Sequence, residues 1–211
     1  MNLPIELVIW DMDGTLINSA TAVPDAFISA AETFGKSGYS REDVIGLYTL
    51  GVPENVVAHM LGKPVSPNAM ECFYDALQKN SSTVATYDEV TQCLALLHKK
   101  VKQAVFTGAS QRSAEILLTA VGIDHHFDVI KGGDGYPPKP DPTSLIDLAE
   151  QFGVAQNRCV YIGDATADME AANSANMISV AAGWGHLYHS NMNANKTVNS
   201  PMQLSRLICG S

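Results

Sequence analysis

Apolar and polar residues fall into blocks along the chain, and the period of the pattern changes from block to block. Leu7-Val8-Ile9-Trp10 is an unbroken apolar run, short enough for a strand buried on both faces. From about residue 20 to about residue 86 the period is helical. Ala26, Phe27, Ala30, Ala31 and Phe34 make one stripe that Gly35 can end. Ser40 with Asp43 approximates a capping box for a short helix through Ile45. Pro53 suits the first turn of a helix that stops at Gly62, and Ser66-Pro67 starts another carrying Met70, Phe73, Tyr74 and Leu77.

Beyond residue 86 strand and helix patterns alternate. Asp88 is the expected cap of a helix through Lys100, Val101 to Thr107 reads as a strand, and Ser110 caps a helix closed by Gly122. A short strand, Phe127 to Ile130, leads into a loop rich in glycine and proline up to Pro140. Asp141-Pro142 opens a helix ending near Gly153, Arg158 to Ile162 is a strand, Asp168 to Ala175 a helix, and Met177 to Ala181 a strand. Residues 182–199 read as a long loop before a closing helix from Ser200-Pro201. This order predicts an α/β fold: a Rossmann-like parallel sheet core with helices on both faces, plus an inserted small α-helical domain. The core would comprise residues 1–18 and 87–211, and the insertion residues 19–86.

In such sheets ligands bind beyond the carboxyl ends of the strands. The conspicuous polar residues sit there: Asp11 and Asp13 after the first strand, Thr107 and Gly108 after the second, Lys139 in the loop after the third, and Asp164 after the fourth. If extended geometry persists past Trp10, Asp11 and Asp13 share a face. Two adjacent carboxylates need a cation or a shared proton. Several carboxylates with one lysine suit a hard cation such as Mg²⁺, with Asp11 and Asp164 as the carboxylate ligands. Asp164 also suits a helix N-cap; Asp168 either orients a metal-bound water or favours the helix dipole. A phosphate then fits, met by the Thr107 hydroxyl, the backbone N–H groups around Gly108, and Lys139 stiffened by Pro138 and Pro140. Asp11 can act as nucleophile, and Asp13 as acid and then base.

Composition narrows the partners. The chain has 211 residues, 46% of them hydrophobic, and a formal net charge of −9. That supports a sizeable core and, without a Lys/Arg run, excludes nucleic acid and anionic membrane as expected partners. No apolar stretch approaches the ~20 residues a spanning helix needs. The N-terminal residues lack the pattern of a signal peptide, and the four cysteines form no Cys-x-x-Cys pair. The expectation is a cytoplasmic protein with reduced thiols, monomeric or homodimeric, acting on a small phosphorylated metabolite. His186 and His189 read as solvated loop residues.

Together, Asp11-Met12-Asp13-Gly14-Thr15-Leu16, Phe106-Thr107-Gly108, Lys139-Pro140 and Gly163-Asp164-Ala165-Thr166-Ala167-Asp168 resemble the haloacid dehalogenase superfamily of phosphohydrolases. The resemblance implies Asp11 as nucleophile and Asp13 as acid/base. It further implies Thr107 and Lys139 as phosphate binders, Asp164 as a Mg²⁺ ligand, and Asp13 as a metal ligand through its backbone carbonyl. The helical insertion is similar to the family's cap, which closes over the site and selects the substrate. Lys131-Gly132-Gly133-Asp134, Tyr161-Ile162-Gly163-Asp164 and Gly183-Trp184-Gly185 resemble the phosphoglycolate phosphatase branch. The cap loop that would govern selectivity includes Tyr48, Thr49, Leu50 and Gly51; Ala165 stands where many relatives have Ser or Thr.

The expected activity is Mg²⁺-dependent hydrolysis of a phosphoglycolate-like or sugar phosphate monoester through an aspartyl-phosphate. A dehalogenase would not need Asp13. A phosphonate hydrolase would need an activated cap lysine, which neither Lys36 nor Lys63 resembles. Phosphoglucomutase-like transfer, and a silent phospholigand-binding protein, are the alternatives.

Overall fold

The structure is a computed structural model that describes residues 4–210. The expectation about the start of the chain rests partly on residues 1–3, which lie outside the described residues. Strand β1 (Leu7–Trp10) is followed by the two-residue strand β2 (Ile17–Asn18). Helices α1 (Ala22–Thr33), α2 (Arg41–Gly46), α3 (Pro53–Leu61) and α4 (Pro67–Asn80) come next, then β3 (Ala85–Thr86), which pairs antiparallel with β2. After them α5 (Val90–His98), β4 (Lys102–Phe106), α6 (Gln111–Ala120), β5 (Val129–Lys131) and α7 (Thr143–Phe152) alternate. The chain ends with β6 (Cys159–Gly163), α8 (Thr166–Ser174), β7 (Ile178–Ala182), β8 (Lys196–Val198) and α9 (Pro201–Cys209).

Among the described residues, six strands form one parallel sheet in the order β5-β4-β1-β6-β7-β8. This is the expected α/β architecture. The chain leaves β1 for β4 and β5 on one side and for β6, β7 and β8 on the other, so strand order reverses at β1. The crevice of a doubly wound sheet opens at that reversal, and Asp11 follows it directly.

The four residues of β1 are fully buried because the strand is covered on both sides. Val8 and Trp10 join a cluster with Leu94, Leu117, Leu118 and Leu204, which continues into the helices between β2 and β3. Leu7 and Ile9 face the opposite layer with Leu145, Leu148 and Ala172. The buried Trp10 indole donates to Gln103 Oε1 at 3.3 Å, so this polar group is partnered inside the core. All four cysteines are free; Cys93 and Cys159 are buried, Cys72 and Cys209 half-buried.

Several local expectations need correction. Asp88 does not cap α5: Glu89 occupies the N-cap with φ 65°, and no side chain caps the helix. Helix α8 starts at Thr166, two residues before the expected Asp168. The expected loop of residues 182–199 contains β8, and the cap loop contains a 3₁₀ turn, Leu47–Leu50. Ser40 does cap α2, with Asp43 completing the box: Ser40 N donates to Asp43 Oδ2 at 2.7 Å and Asp43 N to Ser40 Oγ at 3.1 Å.

Candidate active site

The sheet rim is built around a turn. Asp11 N still donates to Ile162 O at 2.8 Å, which holds the first residue past β1 in line with β6. The chain then turns. Met12 O accepts from Leu16 N at 2.9 Å and Ile17 N at 3.1 Å, and Gly14 adopts φ 82°. A Cβ at Gly14 would also collide with the Asp164 carboxylate, so the position requires glycine twice over.

The turn begins only past Asp13, which bridges to Ile17. Asp11 Oδ1 accepts from Lys139 Nζ at 2.6 Å, whereas Asp13 Oδ1 accepts from the Ser19 hydroxyl. The two neighbouring carboxylates are thereby given different partners.

Three side chains from elsewhere in the chain converge on Lys139. Its ammonium also contacts Asp168 Oδ1 at 2.7 Å and Tyr161 Oη at 3.1 Å, with 14% of the side chain exposed. Tyr161, on β6, lies 3.1 Å from Asp168 Oδ1 and 3.2 Å from Phe106 O. Asp168 Oδ2 accepts from Ala165 N at 2.9 Å, at the start of α8. Both Asp168 oxygens are thus engaged by protein donors. Its evident task is to hold Lys139, a partner absent from both roles expected for it.

Thr107 Oγ1 accepts from Ala109 N at 3.2 Å, which leaves its hydroxyl proton to donate. Gly108 is exposed and has open space where a Cβ would stand. The tight glycines are across from it: a Cβ at Gly132 would collide with the Gln111 backbone, and one at Gly133 would lie 3.0 Å from Gly108 O.

Asp164, 1% exposed, has Oδ2 held at 2.9 Å by Leu187 N. That contact comes from the loop after β7. Trp184 Nε1 in the same loop donates to Thr15 O at 2.9 Å, tying it to the turn after β1. His186 Nδ1 stands 3.7 Å from Asp164 Oδ2 and 3.5 Å from Tyr87 Oη. It is an exposed loop histidine, as expected, but one that the loop brings beside Asp164. His189 lies further out, with Nε2 3.0 Å from Thr166 Oγ1.

Burial pushes the Asp11 carboxyl well above the usual carboxylate range; Lys139 opposes this, and the charges of Asp168 and Asp164 add to it. Burial likewise raises Asp164, to about 6, with Leu187 N opposing. Asp13 is raised by burial too, against the Ser19 hydroxyl and the Lys139 charge. Burial works against the Lys139 ammonium, but Asp11 and Asp168 outweigh it and raise its pKa.

Carboxylate oxygens of Asp11, Asp164 and Asp168 lie within 4.8 Å of one another, facing a single lysine. Hard oxygen donors carrying excess negative charge fit a divalent cation. Both Asp168 oxygens are engaged by protein donors, whereas Asp11 and Asp164 each keep one oxygen outside these hydrogen bonds, so those two are the carboxylates suited to hold it. The Asp13 carbonyl accepts no backbone hydrogen bond among the described residues, so it too is available.

On the opposite side of the crevice, Tyr48 is the cap-loop residue that feels the site. Burial and then the Asp13 charge hold its phenol above the ordinary tyrosine range, although the residue as a whole is 39% exposed. Gly51 faces Pro138, beside Lys139. Thr49 and Leu50 are exposed.

Sequence reasoning missed Ser19, Tyr161, Leu187 and His186. A buried tyrosine hydroxyl needs a partner, which was an available signal for Tyr161. The others arrive through turns and a distant loop and leave no local pattern.

Residues 8–182 match the family described as haloacid dehalogenase-like hydrolase. A phosphoglycolate phosphatase of Psychrobacter arcticus is 30% identical over 197 residues, covering 87% of this chain and 85% of the relative. A phosphoglycolate phosphatase of Aquifex aeolicus is 26% identical over 211 residues, covering 97% of each. The crystal structure of CbbY from Rhodobacter sphaeroides in complex with phosphate has the same fold. Its TM-score is 0.82 at 22% identity, over 95% of this chain and 96% of that one.

Proposed function

This chain belongs to the haloacid dehalogenase-like hydrolase family, and on that premise we propose that it is a Mg²⁺-dependent phosphatase of a small phosphate monoester, working through an aspartyl-phosphate. The observation that carries this reading is the division of labour between two neighbouring carboxylates. Asp11 lies 2.6 Å from Lys139 Nζ on the buried rim, while Asp13 turns to Ser19. One is suited to attack phosphorus and the other to move protons.

In the first step an Asp11 oxygen bonds to phosphorus, and the bond from phosphorus to the leaving oxygen breaks. Asp13, whose proton is favoured by burial, passes it to that oxygen, and the alcohol departs. In the second step the Asp13 carboxylate takes a proton from water as the water oxygen bonds to phosphorus. The Asp11–phosphorus bond breaks, inorganic phosphate leaves, and Asp11 is a carboxylate again.

Lys139, the Thr107 hydroxyl and the N–H groups near Gly108 are suited to receive the phosphoryl oxygens, which gather charge in the transition state. A divalent cation held by Asp11, Asp164 and the Asp13 carbonyl would neutralise charge on those oxygens when bound. Helices α1–α4, within residues 19–86, act as the cap in this reading. A reducing, cytoplasmic setting belongs to the same proposal and is supported by the four free thiols.

The test is phosphate release from p-nitrophenyl phosphate, with and without Mg²⁺, by the native protein and by Asp11→Asn. The variant should fold normally by circular dichroism and lose at least about 10³-fold in kcat. Retention of more than about a tenth of the native rate would end the nucleophile assignment.

A further inference from the structure

The helical insertion carries a carboxylate with one unpartnered oxygen, Glu54 Oε2, where a cation would be needed for a carboxylated substrate. Glu54 lies in the first turn of α3, three residues past Gly51, the glycine that faces Pro138 in the Lys139 loop. Its Oε1 is 3.4 Å from the Tyr74 hydroxyl, which in turn is 3.1 Å from Ser110 Oγ. Ser110 caps α6 three residues after Thr107. The start of α3 is therefore linked through Gly51 to the Lys139 loop and, from Glu54 through Tyr74, to the loop after Thr107, the two loops read above as holding the phosphate. Glu54 Oε2 is buried and has no hydrogen-bond partner.

A buried carboxylate oxygen without a donor is unfavourable, and native interiors rarely tolerate one unless something else completes it. An acidic residue in a first turn also complements the helix dipole, but a solvated side chain would meet that need.

The cations of the cap are committed or remote. Arg41 forms a bidentate pair with Asp25, at 2.7 and 2.8 Å. Lys63 lies 5.9 Å above the Phe34 ring, and with Lys36 it belongs to the opposite end of α3. Lys79 is exposed in the last turn of α4. Between residues 42 and 62 the sequence holds no Lys or Arg. Arg112, the cation nearest Tyr74, is bound by Glu71 at 2.6 and 2.9 Å.

We infer that Glu54 selects the leaving group, and that the substrate is the monophosphate of a polyhydroxylated alcohol, a sugar or polyol, whose hydroxyl donates to Glu54 Oε2. A leaving group bearing its own carboxylate, as in 2-phosphoglycolate, would bring like charge against Glu54 with no cap cation to receive it. This inference rests on the phosphatase reading of the same site.

The test compares kcat/KM for glucose 6-phosphate, sorbitol 6-phosphate, 2-phosphoglycolate and p-nitrophenyl phosphate in the native enzyme, Glu54→Gln and Glu54→Leu. The native enzyme should favour a hydroxylated ester over 2-phosphoglycolate by at least about tenfold. Loss of a hydrogen bond to a charged group should then cut that ratio by roughly 10- to 100-fold in Glu54→Leu. Glu54→Gln, which keeps the shape and removes the charge, should cut it less. The ratio is taken within each variant, so a partly unfolded preparation does not alter it. A native preference for 2-phosphoglycolate, or a ratio unmoved in both variants, overturns the inference while leaving the phosphatase intact. No Asp11-dependent release from any of the four esters would instead sink the phosphatase reading and this one with it.

Discussion

At the sheet rim, Asp11, Lys139, Tyr161 and Asp168 form one connected set, and each of the four comes from a different chain segment. Opposite them, Tyr48, Glu54 and Tyr74 come from the helical insertion. There the contacts with the core include a shared apolar cluster, a 3.1 Å hydroxyl pair and an exposed ion pair, Arg112–Glu71. The rim's geometry is locked by strand register: Trp10 is paired with Val105 on one side and Ile162 on the other. The insertion is joined through the two-residue strands β2 and β3. On the proposed function, chemistry that tolerates little positional error would sit on the paired strands, and the insertion would face the variable part of the substrate.

The contrast can be broken first at the rim. Lys139→Ala removes the cation that faces two buried carboxylates, and kcat/KM for p-nitrophenyl phosphate should fall by about 10²- to 10³-fold. A loss below about fivefold would show that the rim does not depend on this charge.

The next effect is on stability. The Asp164 carboxyl has a folded pKa of about 6 against an ordinary 3.8. The folded protein thus holds this proton more tightly than the unfolded chain does. The resulting stability is fully present below the ordinary value and is lost as pH rises through about 6. In chelator, the native protein should therefore lose stability relative to Asp164→Asn across that window, by on the order of 3 kcal/mol. Mg²⁺ should restore the melting temperature at pH 7 and add little at pH 4. A native protein that instead gains on Asp164→Asn as pH rises would contradict the electrostatic account.

The smallest effect belongs to the insertion. Arg112 and Glu71 are 47% and 56% exposed, so Arg112→Ala should cost no more than about 1 kcal/mol in chemical denaturation. Its kcat for p-nitrophenyl phosphate should stay within about twofold of the native value. A larger loss would mean that the cap seam helps to hold the rim.

The core was readable from sequence because Asp11, Thr107 and Asp164 stand at the ends of apolar runs, and strand ends leave a sharp polarity change. Strands β2 and β3, at two residues each, are too short to carry a period. β8, with exposed Lys196 and Thr197, reads as loop because only Val198 is buried. The Asp88 cap failed because the backbone gives the N-cap to Glu89 in a left-handed conformation. Asp168 was found but its task was not: helix-dipole reasoning is local, whereas Lys139 is 29 residues away in the chain. His186 reaches Asp164 from 22 residues downstream, a closeness that only the folded loop creates.

The placement of the thiols has a practical consequence. Burial pushes Cys93 and Cys159 up to about 12, so neither presents appreciable thiolate near neutrality. Cys72 lies on α4, inside the stretch bounded by β2 and β3, and Cys209 ends α9 outside it; both reach solvent in part. The natural chain thus carries one partly exposed thiol on each side of the β2–β3 pair. A donor–acceptor dye pair coupled there would report whether the insertion moves relative to the sheet when a phosphate ester is added, with no engineered cysteine.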